Sequence, residues 1–230
     1  MTQHAPRPAD GAGPPTPGYV TFSTLRADDR TAAAELARAL AHETRRWLRH
    51  REGFVSARIH TGVDTAAAVV VREEWRSRAS HRAAGEDAAG AALRALLTGP
   101  GVRETSVFGG VPEEGIAGPY PSAPPGLVCV ATRHLGSPTN ARRLAGLLRE
   151  GDWKRHFPGF ISATPYIGDE GTYVNYPQWT DAAAFDAYMR DPRNAAGQPG
   201  IAELEVAPPE IVMCTVLDEV IARTPTRGTK

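Results

Sequence analysis

Tyr173-Val174-Asn175-Tyr176-Pro177-Gln178-Trp179, introduced by Pro158-Gly159-Phe160-Ile161-Ser162-Ala163, decides how this chain is read. It has the form of a strand ending at a turn, with an apolar run before it and a helix start after it. A weaker copy lies about a hundred residues earlier. Trp47-Leu48-Arg49-His50 and Gly53-Phe54-Val55-Ser56-Ala57 match Trp153-Lys154-Arg155-His156 and Gly159-Phe160-Ile161-Ser162-Ala163 (Trp47 to Trp153, an offset of 106). After a two-residue shortening of the intervening turn, Trp75 matches Trp179. Identity at this many spaced positions points to a tandem repeat.

Working outward, the first copy predicts a strand from Tyr19, a helix over roughly 31–50, and strands over Phe54–His60 and Ala66–Glu73. A second, alanine-rich helix then runs to about Leu97, stopped by Gly99-Pro100-Gly101, and a strand follows over Val102–Phe108. The second copy repeats this order. Leu127–Thr132 is a strand, Ser137-Pro138 a helix start, and Phe160–Tyr166 with Gly171–Tyr176 a hairpin. Thr180 is expected to cap a helix that Pro192 closes, and Ile211–Ile221 forms the last strand. The expected divisions are a disordered proline-rich tail at 1–18, repeats at 19–108 and 126–222, a Pro/Gly-rich linker without structure at 109–125, and a polar tail at 223–230. The expected class is α+β, with two fused ferredoxin-like βαββαβ repeats forming an intramolecular barrel. Having both on one chain raises the effective concentration of their pairing. Further oligomerisation is left open.

Lys+Arg and Asp+Glu both number 26, so no charge excess argues for nucleic acid or an anionic membrane. No apolar run or leader suggests a membrane span or export, and a cytoplasmic location is expected. Cys129 and Cys214 make no disulfide framework and are expected to be buried thiols in adjacent strands. None of the seven histidines falls into a metal-ligand cluster, so no metal is expected. His50 and His156 end equivalent helices, where offsetting the helix dipole is the plain role. Arg190 and Arg193 are expected to face solvent, with contact to an acidic substrate group as the alternative.

The W-x5-G-F-[VI]-S-A block in each half, with the Asn175-x3-Trp179 pair, resembles the antibiotic biosynthesis monooxygenases of the dimeric α+β barrel superfamily. The resemblance implies an oxygenase acting on an aromatic polyketide, with O2 as cosubstrate and no tightly bound cofactor. It places Asn175 and Trp179 at the reacting ring. The tyrosine that the family carries six residues after the tryptophan is replaced by Phe185, and Tyr188 on the same helix is the candidate substitute. Tyr166, Tyr173, Phe160 and Phe185 are the candidate substrate-binding rings.

The chemistry has its own logic. O2 reacts slowly with closed-shell molecules, so a protein without metal or flavin must make the substrate electron-rich by deprotonating a phenol or anthrone. It then supplies a dry pocket and donors for the developing oxyanion. Asn175 and Trp179 can donate through amide and indole N–H groups. Asn175 aligns with Val71 in the first copy, so the two pockets are expected to be unequal, the first offering Val69, Val71 and His60. Three other readings stand beside quinone formation. One is ring cleavage of an angucycline with an exchangeable reduced flavin delivered by a flavin reductase. Another is haem degradation, disfavoured because residues 180–192 hold no histidine. The last is a non-catalytic ligand-binding module, in which Trp179 is a core aromatic only.

Overall fold

A computed structural model describes residues 17–63, 67–150 and 152–223. Apart from Pro17, Gly18 and Arg223, the expected tails lie outside the described residues. The chain runs β1 (Tyr19–Ala27), α1 (Arg30–Arg46), β2 (Phe54–Gly62), β3 (Ala68–Trp75), α2 (Arg78–Glu86), α3 (Ala91–Thr98) and β4 (Val102–Pro112). A short β5 (Ile116–Ala117) leads to β6 (Leu127–His134), α4 (Pro138–Glu150), β7 (Phe160–Gly168), β8 (Thr172–Trp179), α5 (Ala182–Arg190), α6 (Pro192–Ala202) and β9 (Ala207–Ile221).

Local chemistry sets these boundaries. The Asp29 carboxylate accepts from Ala32 N–H and starts α1. Asp181, rather than Thr180, caps α5 by accepting from Ala184 N–H. Asp191 both ends α5 and caps α6, with Pro192 in the first turn where its missing N–H is harmless. Pro192 therefore opens a helix that the sequence reading did not anticipate. Gly53 and Gly159 hold φ of 76° and 78°, just ahead of β2 and β7. A Cβ at Gly159 would fall on the Ala184 methyl, and one at Gly53 on the Ser80 side chain. The paired Gly-Phe block thus brings a strand entry against a helix's first turn in each half.

Strand order is β4-β1-β3-β2-β9-β6-β8-β7, and β4 pairs with β7 to close an eight-stranded barrel. Each half contributes the same order, 4-1-3-2 and 9-6-8-7, and all pairs are antiparallel. The halves join edge to edge. The last strand of one half bonds to the second strand of the other, with Ala57 opposite Val220 and Val111 opposite Ile167. The expected structureless linker is a correction: β4 continues to Pro112, and β5 adds Ile116 opposite Ala163 with its side chain buried.

Side chains alternate across the barrel wall. Phe22, Val70, Phe108, Val130, Val174 and Cys214 fill the interior, while Trp75, Phe160 and Trp179 face the helices. Arg72, Tyr166, His60 and Tyr176 also lie inside. The Arg72 guanidinium donates to the Tyr166 hydroxyl at 2.6 Å. The His60 Nδ1–H donates to the Val70 carbonyl at 3.0 Å, and Nε2 accepts from the Tyr176 hydroxyl at 2.7 Å. Burial pushes His60 down to about 4, so it is neutral at pH 7.

Candidate active site

A cavity of about 480 Å³ lies between the outer face of the second half's strands and helices α4, α5 and α6. Its sheet wall is built by period-2 spacing. Tyr173, Asn175, Pro177 and Trp179 project from β8 to the helix side, and Cys129, Ala131 and Arg133 from β6. Asn175 and Trp179 are separated by roughly 13 Å of strand, so they line one cavity from different positions along it.

One end is a wall of rings. Trp179 meets Tyr188 at 4.8 Å between centroids, Phe160 at 5.1 Å and Phe185 at 5.8 Å. Tyr188 is also stacked on Trp153 at 5.5 Å and 19°. Arg193 also lies over the Trp153 ring, 4.3 Å from its centre, while its guanidinium pairs with Asp191 at 2.8 Å. It is a lining residue, not simply a solvent-facing one. Burial, with the Asp191 and Cys129 charges adding to it, pushes the Tyr188 hydroxyl up to about 12, so it is a proton donor and not an anion at neutral pH.

Three polar groups of the wall have no hydrogen-bond partner among the described residues. They are the fully buried Trp179 indole N–H and Tyr173 hydroxyl, and the half-buried Asn175 amide, which stays open to the cavity. Orphaned buried donors are uncommon and call for a reason. Burial raises the Tyr173 hydroxyl well above the ordinary tyrosine range.

The first half lacks this space. Its corresponding cavity is about 90 Å³, lined by Trp47, Trp75, His81 and Leu93 among others. There the Trp75 indole donates to the Glu73 carboxylate at 3.1 Å. The residue matching Glu73 in the second half is Pro177, which offers no acceptor side chain.

Of the sequence candidates, Asn175, Trp179, Tyr188, Tyr173, Phe185 and Phe160 all line the large cavity. Tyr166 does not. Its ring lies in the barrel interior against Phe22 and Arg72. The cause is a β-bulge in β7 between Phe160 and Ser162, which reverses the alternation beyond it. An equivalent bulge in β2 puts His60 inside rather than in the first pocket. Sequence reasoning also missed Lys154 and the α6 side chains Asn194 and Gln198. The Asp191-Pro192 pair signals α6, and Lys154 stands where the first half has Leu48. Among the described residues, no group of three or more His, Cys, Asp or Glu is placed to hold a metal, and no helix is long and apolar enough to cross a membrane.

No family model matches the chain. A 43-residue stretch is 49% identical to tetracenomycin-F1 monooxygenase of Streptomyces glaucescens, covering 18% of this chain and 38% of that enzyme's length. Among solved structures, an anthrone oxidase-like protein superposes with a TM-score of 0.73 at 15% identity, over 93% of this chain and 97% of its own. A Lactobacillus acidophilus monooxygenase candidate follows at a TM-score of 0.60 and 10% identity, over 90% and 97%. At these identities the two structures speak for the fold.

Proposed function

We propose that this chain belongs to the antibiotic biosynthesis monooxygenases and oxidises an activated phenol- or anthrone-type ring of an aromatic polyketide to a quinone with O2. The observation that supports this reading is the large cavity of the second half, where a wall of rings meets the orphaned Trp179 indole N–H and the half-buried Asn175 amide. A flat polycycle stacked against Tyr188 and Trp179 places its oxygens on the sheet side, where those donors sit. Deprotonation makes the ring an electron donor to O2, and the dry wall strengthens each hydrogen bond to the resulting oxyanion. For an anthrone the balance closes without a reductant: the ring CH2 and O2 give the ring carbonyl and water.

We further infer that residues 19–108 and 126–222 are two fused copies of one unit, of which only the second keeps a working pocket. Matching strand orders and reciprocal edge pairing support the duplication. The Glu73-capped Trp75 and the small first cavity support the assignment of the working pocket.

The test is turnover of 1,8-dihydroxy-9-anthrone under 18O2, with no added flavin or metal. One labelled oxygen in the new carbonyl and one O2 consumed per quinone supports the reading. A strict need for reduced flavin redirects it to flavin-dependent cleavage. Tight binding without turnover makes the chain a ligand carrier.

A further inference from the structure

We propose that Lys154 is the base of the second-half cavity, its amine taking the proton from a phenolic hydroxyl of the bound ligand and remaining beside the phenolate as ammonium. The inference rests on the aromatic-substrate reading above. In this step the O–H bond breaks, an N–H bond forms, and the electron pair stays on oxygen.

Lys154 lies in the short turn Asp152–His156 that follows α4, and it lines the cavity. Its ammonium is 6.0 Å from the centre of the Tyr188 ring, so it borders the surface on which a flat ligand would stack. The other cations of the lining are each matched to a carboxylate. Arg133 pairs with Glu205, Arg149 with Glu114 at 3.3 Å, and Arg193 with Asp191 at 2.8 Å. Among the described residues, Lys154 has no carboxylate partner. A cation set against rings without a counter-ion is costly unless something anionic or neutralising completes it.

The first half gives a built-in comparison. The position matching Lys154 is Leu48, which is buried and lines the 90 Å³ cavity. The lysine thus occurs in the half that has room for a ligand, and an apolar side chain in the half that does not. Burial also lowers the lysine below its ordinary range, which widens the pH span over which the free amine is present. Phenols and lysine have similar intrinsic proton affinities, so transfer between them is close to balanced before the ion pair forms. The resulting ammonium–phenolate pair is then held in an apolar enclosure.

The probe is alizarin, whose absorption reports phenol and phenolate separately. Bound to the wild-type chain, it is expected to ionise about one pH unit or more below its free value. Bound to Lys154→Met, it should ionise at or above the free value, since desolvation then acts unopposed. Lys154→Arg restores the positive charge and the lowered ionisation, but not anthrone turnover, because a guanidinium cannot accept the proton. Thermal melting of each variant verifies folding; if Lys154→Met melts early, Lys154→Arg decides alone. Unchanged ionisation in Lys154→Met, or full turnover by Lys154→Arg, overturns the base while leaving the cavity reading intact. Failure of wild type to bind alizarin overturns both.

Discussion

Replacing Trp75 and Trp179 by phenylalanine, one at a time, separates packing from chemistry in a single experiment. Both tryptophans are 1% exposed and make edge contacts with the phenylalanine of the Gly-Phe block, so each variant loses similar packing, about 1–2 kcal/mol. They differ in one bond. Trp75→Phe takes a donor from the Glu73 carboxylate, costing about 1–3 kcal/mol more. Trp179→Phe breaks no hydrogen bond among the described residues. Trp75→Phe should therefore melt lower than Trp179→Phe by roughly 2–12 °C, taking about 2–4 °C per kcal/mol for a chain of this size. Turnover should show the reverse order. Losing an oxyanion donor in a dry site costs on the order of 3 kcal/mol, or roughly a hundredfold in kcat, so Trp179→Phe should be crippled and Trp75→Phe near normal. The assay is O2 uptake with an anthrone alongside scanning calorimetry. A Trp75→Phe chain that is stable but inactive, or a fully active Trp179→Phe chain, refutes the placement of the working pocket.

Three further outcomes are expected. Asn175→Ala should lower kcat by about a hundredfold with little change in melting, because the half-buried amide holds no bond that would be lost; a silent variant removes Asn175 from the chemistry. Gly159→Ala should cost about 2–4 kcal/mol, combining a left-handed backbone with a collision at Ala184, and an unchanged melting temperature would contradict that geometry. Acid should weaken the fold through His60. Its folded value is depressed to about 4, so the stability is complete above about pH 6.5 and is lost as pH falls through that window, reaching about 3 kcal/mol near pH 4. Urea midpoints for wild type and His60→Gln, measured at pH 7.5 and 4.5, should diverge in slope, and parallel behaviour would rule His60 out.

The fold was legible because the Trp and Gly-Phe positions recur with their spacing, and because βαββαβ order admits few arrangements. A barrel was expected, but which strand edges join to close it was not legible, since a strand's hydrogen-bonding edges leave no mark on its side-chain pattern. Counting twos back from Trp179 along the observed β8 puts Asn175 and Tyr173 on one face, whereas the strand expected from the sequence ended at Tyr176. The same counting failed in β7 and β2, where one bulge each turns Tyr166 and His60 inward. Lys154 was hidden for another reason. A lysine beside Arg155 and His156 reads as a solvated helix end until the packing of α5 and α6 encloses it.

The reciprocal pairing of last and second strands has a consequence for biosynthesis on the ribosome. β9 lies between β2 and β6, so those two strands keep unsatisfied edges until residues 207–221 have left the exit tunnel. The first half is translated long before that, and it must wait with β2 uncovered on one side and β4 without β7 on the other. Nascent chains of this design present two sticky borders for most of their synthesis. Premature termination just before Ala207 should accordingly yield aggregate, not a smaller soluble domain.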